Sequence, residues 1–207
     1  GEMVFNQELE REIPRGWEVK TIKNFGKVIT GKTPSSEYPE DFGFEMPFVT
    51  PGDFKNYGKF VLGAERNLSK EGYKKLKGKI LKPNSVIVTC IGSDMGKVVI
   101  TKEECITNQQ MNSIEVSKEY YFDYLFYYLK SIYDELKSIA MGGSTMPMLS
   151  KSEFELIVLI KPNDSILERF FKLVKPINDL NYINSKISKS ALDMKNLLLS
   201  KLATIEN

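Results

Sequence analysis

Residues 26–33 read Gly-Lys-Val-Ile-Thr-Gly-Lys-Thr, a glycine, four residues, then Gly-Lys-Thr. This is the spacing with which a phosphate-binding loop wraps backbone amides around a nucleotide, sets a lysine on the phosphates and offers a hydroxyl to magnesium. That chemistry needs a setting as well as a spelling. A buried apolar strand must lead in, and a helix must open at once so that its first amides face the phosphates. Here the lead-in is EVKTIKNFG, half of it polar, and Pro34 follows Thr33 and drives it out of the helical region. Pro39, Gly43 and Pro47 come next, and no apolar run ending in Asp supplies a second metal contact. The stretch is read as a strand followed by a polar loop, and nucleotide binding is set aside.

Other chemistry is thinner still. There is no histidine, which removes every His–Ser, His–Cys and His–Asp pair and leaves only carboxylates and two thiols for zinc. Cys90 lies inside the apolar run SVIVTCIG, and it and Cys105 are read as buried thiols, not a disulfide. The acidic residues are scattered. No catalytic residue, metal ligand or cofactor is expected.

Charge is uneven. From Phe54 to Lys102 eleven Lys/Arg face three acidic residues, a local net of +8 in a chain whose total is +2. Such a stretch is either a solvated surface or a patch that neutralises the phosphates of a polyanion. The apolar runs 85–92 and 154–160 are far too short to cross a bilayer, and the N-terminus is acidic where a signal peptide is basic. A cytoplasmic protein without membrane contact is expected. Beginning on Gly1 and not Met, the sequence is expected to be either an engineered expression product or an excised fragment.

The elements that must position these residues fall into two kinds. Residues 17–116 carry short β-type runs between Gly and Pro: WEVKTI, FGKVIT, PFVT, KFVLG, SVIVTCIG, KVVIT and MNSIEV. A single helix should follow from an N-cap at Ser117, burying a stripe from Phe122 through Leu125, Phe126 and Leu129 to Ala140. That spacing makes the aromatics core and not a base-stacking platform. The loop 141–145 should end it, and FELIVLIKP should return as a buried strand stopped by Pro162. The fold class is α+β, a strand-rich head followed by a long helix.

That last helix should be capped by Ser165 with Glu168. Along it Ile166, Phe170, Leu173, Ile177, Leu180, Asn184, Ile187, Ala191, Met194 and Leu198 recur at alternating spacings of four and three, a seam of about four and a half heptads. Pro176 should kink the helix or start a new one. From there to Thr204 it would run about 40 Å, too long and narrow-faced for packing inside so small a domain. Asn184 in the seam would fix register, or else marks a point where the seam faces solvent. Such a seam wants a partner helix.

IPRGWEVKTI (13–22), GKTPSS (31–36), PFVTPGDF (47–54), TNQQMNSI (107–114) and LSKSEFELIVLIKP (149–162), then a long helix, follow one another in an order similar to that of DNA-specificity subunits of type I restriction–modification systems. The resemblance covers residues 12–204. It implies a target recognition domain over 12–162 and, over 163–207, the conserved helix that spaces two such domains and docks methyltransferase subunits. Family members usually carry two of each, so this chain resembles half of a subunit, or a half-subunit whose symmetric homodimer replaces the internal repeat. The partners implied are double-stranded DNA, the methyltransferase subunits and, through the complex, the restriction subunit. Lys55, Lys59, Arg66, Lys74, Lys75, Lys77 and Lys97 become candidate phosphate contacts. Lys32, Thr33, Ser35, Ser36 and Tyr38, with Ser144 and Thr145, become candidate base contacts. Asn108-Gln109-Gln110 belongs to the recurring pattern and is read as structural before DNA-facing. Leu173, Ile177, Leu180, Asn184, Ile187, Ala191, Met194 and Leu198 become the partner-helix face.

Two rivals stand against this reading. A DNA methyltransferase would need an Asn/Asp-Pro-Pro-aromatic loop and a Gly-rich cofactor loop, and Lys161-Pro162 and Lys175-Pro176 lack the second proline and the ring. A scaffold with a globular head and a coiled-coil helix would bind protein and not DNA; salt-dependent duplex binding separates the two.

Overall fold

The computed structural model describes residues 1–92, 94–140 and 148–205. They form two compact units, Gly1–Phe171 and Lys172–Asn207. The architecture is α+β. Among the described residues no helix is long and apolar enough to cross a membrane.

The head is built on two four-stranded sheets. One has the order β4-β11-β8-β9, from Gly26–Thr30, Met111–Val116, Val86–Thr89 and Val98–Ile100, all antiparallel. Its central strands β8 and β11 are buried on both faces over most of their length, which is why they read as continuous apolar runs and not as alternating ones. The other has the order β10-β6-β7-β5, from Ile106–Thr107, Met46–Val49, Arg66–Leu68 and Phe42–Gly43, with β10 parallel to β6. Ile29, Val49, Phe54, Leu81, Ile87, Val99 and Met111 fill one core cluster; Phe48, Leu68, Leu76 and Ile106 fill a second. Two pairs complete the strands: the hairpin β1–β2 (Met3–Asn6, Arg11–Pro14) and β3 (Glu18–Thr21) against β12 (Val158–Lys161).

The GKVITGKT stretch is β4 followed by an irregular loop, as its polar lead-in and Pro34 require. Cys90 and Cys105 are buried free thiols, and burial pushes them up to about 11 and about 12.

Four expectations need correction. The run KFVLG forms no strand: only Phe60 bridges to Ile100, between Gly58 and a Gly63 held at φ +97°. The single helix from Ser117 is two, α2 (Tyr121–Ser131) and α3 (Tyr133–Ala140), broken at Ile132. Ser117 caps neither, because its amide and hydroxyl both donate to the Phe25 carbonyl, at 2.8 and 2.9 Å. The buried strand over 154–162 begins as a helix instead. Ser150 and Glu153 close a capping box and start α4 (Lys151–Glu155), so extended backbone resumes only at Val158. The last helix, α5 (Asp164–Ile205), is capped by Asn163, whose side-chain oxygen accepts from the Ile166 amide at 3.0 Å; Ser165 already lies inside it. The helix runs on through Pro176, which therefore starts no new element. The aromatic stripe of α2 is core as expected, with Phe122, Leu125, Phe126 and Leu129 buried.

Candidate nucleic-acid interface

The loop 31–38 leaves the end of β4 at one fixed place. The Gly31 amide donates to the Met111 carbonyl at 3.1 Å and the Lys32 amide to the Thr107 carbonyl at 2.9 Å. A Cβ at Gly31 would lie 2.1 Å from the Asn108 carbonyl oxygen, so only glycine allows this approach. The turn 108–110 that the loop rests on closes on itself. Asn108 Nδ2 donates to Gln110 Oε1 at 2.9 Å, and the Gln110 amide returns to Asn108 Oδ1 at 3.1 Å. Gln109 is exposed and accepts from the Thr33 hydroxyl. The Asn108-Gln109-Gln110 turn thus links β10 of one sheet to β11 of the other, with the Gln109 amide left on the outside.

The far end of the loop leads into a buried carboxylate. Tyr38 precedes a 3-10 turn, Pro39–Asp41, and Asp41 is withdrawn from solvent. Opposite it lies α1 (Lys70–Lys75), capped by Ser69, whose hydroxyl accepts from the Gly72 amide at 3.1 Å. A Cβ at Gly72 would meet the Asp41 carbonyl oxygen at 2.0 Å, so helix and turn are in direct backbone contact. Lys75 Nζ reaches Asp41 Oδ1 at 2.6 Å and stands 4.5 Å from the Tyr38 ring centroid. That hydrogen bond raises the lysine's pKa and keeps it charged.

A cleft of about 510 Å³ results, lined by Lys32, Thr33, Pro34, Ser35, Tyr38, Asp41, Lys75 and Leu76. It joins a polar loop that ends at Tyr38 and a basic helix that begins at Lys70. Ser36 is exposed on the same loop, and Lys74 and Lys77 are exposed on α1 and the 3-10 turn Lys77–Lys79. Lys79 ties that turn to the end of β4 through the Thr30 carbonyl at 2.9 Å.

The remaining cations of the basic stretch do not gather there. Lys59 Nζ lies 2.6 Å from Asp123 with its side chain only 8% exposed, against the rings of Phe126 and Tyr127. An ammonium so placed holds the core together and has no reach to a phosphate. Lys55 pairs with Glu65, Lys97 with Asp94 and Lys82 with Glu115, and the Arg66 guanidinium lies 3.6 Å from the Phe42 ring centroid. Glu65 and Asp94 belong to the stretch and are already counted in its +8, whereas Asp123, Asp41 and Glu115, which meet Lys59, Lys75 and Lys82, come from elsewhere in the fold. Ser144 and Thr145 lie outside the described residues. Among the described residues no cluster of His, Cys, Asp or Glu could hold a metal ion.

On the helix beyond Phe171, Leu173, Ile177, Leu180, Ile187, Met194 and Leu198 are each more than half exposed, and Asn184 and Ala191 stand in solvent with them. Ile183, Leu192, Leu197, Leu199 and Leu202 are exposed as well, apolar positions off the heptad seam that a two-position pattern passes over.

This architecture, a loop-rich α+β head leading into one long helix, is a known one. The HsdS subunit from Thermoanaerobacter tengcongensis superposes with a TM-score of 0.57 at 16% identity, over 85% of this chain and 40% of its own. The S subunit of the type I restriction–modification system of M. genitalium gives 0.54 at 13%, over 79% and 39%. The sequence carries the assignment further. Residues 14–191 match the family described as the type I restriction modification DNA specificity domain, and the chain belongs to that non-catalytic family. The HindI specificity subunit of Haemophilus influenzae is 35% identical over 192 residues, 92% of this chain and 41% of the relative. The MjaIX specificity subunit of Methanocaldococcus jannaschii is 30% identical over 172 residues, 82% and 39%. The chain thus spans about two fifths of the length of these relatives.

Proposed function

We propose that this chain reads DNA sequence for a type I restriction–modification complex, with duplex DNA lying across the cleft between the loop 31–38 and α1. The observation that carries the reading is the meeting of those two segments. Polar side chains at base-reading length (Lys32, Thr33, Ser35, Tyr38) are framed by exposed lysines (Lys74, Lys77) with no carboxylate within ion-pair distance among the described residues. Phosphate contacts from the lysines fix register, and the loop meets base edges in the major groove. Lys55, Arg66 and Lys97, which do not line the cleft, serve as secondary contacts, and Lys59 is left out of the set.

The head alone reads one half of a bipartite target. Its partner is a second head brought by the exposed seam from Leu173 to Leu198, either a second copy of this chain or the rest of a longer subunit. Two antiparallel helices put two heads at opposite ends in inverted orientation, so a homodimer demands an inverted repeat whose spacer the helices set. The same helices are where methyltransferase subunits would dock and, through them, the restriction subunit. This work belongs in the cytoplasm, where the DNA is.

Duplex binding measured against salt tests the reading. With about five phosphates contacted, log K against log salt should slope at roughly −4 to −5. Reversing the charge of Lys74 and Lys77 should flatten the slope by about two. An unchanged slope would put the DNA on another face.

A further inference from the structure

We infer that Lys75 reads a base edge, a guanine in the major groove, and that Asp41 is the positioning residue that fits it for this; the inference rests on the DNA-binding reading above. A surface lysine is a point charge on four rotatable carbons, adequate for a phosphate, whose field tolerates a moving partner. Telling one base from another needs donors held in place.

Lys75 is held as its neighbours are not. Among the described residues no carboxylate lies within ion-pair distance of Lys32, Lys74 or Lys77, whereas Lys75 is tied to Asp41 at 2.6 Å and rests 4.5 Å from the centre of the Tyr38 ring. Asp41 is fixed in turn. It is 3% exposed, its amide donates to the Tyr38 carbonyl at 3.0 Å, and its carbonyl accepts from the Ser69 amide at 2.8 Å, just before α1. Gly72 lets the helix backbone touch that same carbonyl. Turn, helix and ammonium therefore form one rigid group at the wall of the cleft.

The ammonium carries three donors and no acceptor, and one donor goes to Asp41. The two that remain match an edge with two adjacent acceptors. In the major groove that edge is guanine O6 with N7. The same reading gives Asp41 a purpose. A carboxylate lining a cleft for a polyanion costs affinity, and a gain in discrimination offsets that cost.

Selection of binding sites by the full chain from randomised duplexes at low salt, for the parent, Lys75→Met and Asp41→Asn, decides the matter, with thermal melting as the check on folding. The parent should prefer guanine at one position by about tenfold or more. Lys75→Met should lose that preference and leave the salt slope unchanged. Asp41→Asn separates two signs: lost negative charge alone would tighten every duplex and keep the preference, whereas positioning predicts a weakened preference with non-specific affinity held or raised. Uniform weakening by Lys75→Met with the slope reduced by about one would make Lys75 a phosphate contact; that sinks the inference and leaves the proposed function standing. A parent that binds no duplex overturns both. Should either variant fail to fold, the double variant Lys75→Met with Asp41→Asn, which leaves no buried carboxylate unpaired, should lose the guanine preference and still decides.

Discussion

Within Gly1–Phe171 the large apolar side chains Phe154, Leu68 and Ile87 are wholly withdrawn from solvent, whereas from Lys172 onward Leu180, Ile187 and Met194 stand in it. Both regions carry apolar residues at regular spacing, so the difference is one of supply. The head has two four-stranded sheets and the helices α1 to α4 to cover its own stripes. A lone helix has no second surface, and an exposed apolar seam of this length is what soluble monomers avoid. The head contains its own reason to fold. The helix, in the reading proposed above, calls for a partner.

The strongest way to break this comparison is to make the seam polar. Replacing Leu180 and Ile187 with Glu should convert the chain from an associated species to a monomer in sedimentation at tens of micromolar, while the circular dichroism of the head is unchanged. An unmutated chain that sediments as a monomer there would exclude the homodimer and leave the second half of a longer subunit as the partner.

A smaller effect sharpens the contrast residue by residue. Phe154→Ala empties a site in the head that is closed on all sides and should cost about 3–5 kcal/mol in urea unfolding of the head. Leu180→Ala removes a similar apolar group from an exposed position and should change that same transition by less than about 0.5 kcal/mol. Equal costs would mean that helix and head share one core.

How much of this was legible in the sequence follows the range of the interactions concerned. Strands β3, β4, β6, β8, β9 and β11 were readable because alternation and apolar runs are local, and so were the rejected phosphate loop, which Pro34 decides, and the seam of α5. What failed depended on distant partners. Nothing near Lys59 announces that Asp123, 64 positions on, will bury it, nor does Lys75 announce Asp41, 34 positions back. Counting charges along the chain therefore overstated the basic patch, and only folding showed which lysines were already engaged. The cleft is also a product of folding, since its two walls come from separate segments. Ser150 was a different kind of miss: its capping box with Glu153 was written in the sequence, and the apolar run behind it drew the reading towards strand.

That miss gives a test of the order of a single cap. Ser150→Ala and Asn163→Ala each remove an oxygen that accepts from a helix amide and should each lower stability by about 1 kcal/mol. Ser165→Ala, at the position that the sequence pattern favoured, removes only a hydroxyl that donates to Asn163, and should cost less than half of that.

The smallest effect concerns the place where the two regions meet in the chain, the first turns of α5. These belong to the head: Leu167 is buried, and Phe170 and Phe171 meet the rings of Tyr127 and Phe122. Asp164 fastens the helix start beside them. Its carboxylate takes Lys118 Nζ at 2.5 Å, Lys161 Nζ at 2.7 Å and the Tyr121 hydroxyl at 3.1 Å. These contacts, Lys118 first, hold its pKa well below the ordinary value of about 4. A carboxylate depressed in the folded state gives stability that is fully present above its unfolded pKa and is lost as pH falls through the folded value. The urea midpoint should therefore drop between about pH 4 and 2, and Asp164→Asn should remove part of that drop while costing little more than about 1 kcal/mol at pH 7, since the group is over a third exposed and water screens it. The variant's effect should fade as the pH is lowered, because the parent loses the same contacts there. A cost that stayed constant from pH 7 to 2 would mean that Asp164 acts by shape and hydrogen bonding alone, with its charge contributing nothing to the hold of the head on the helix.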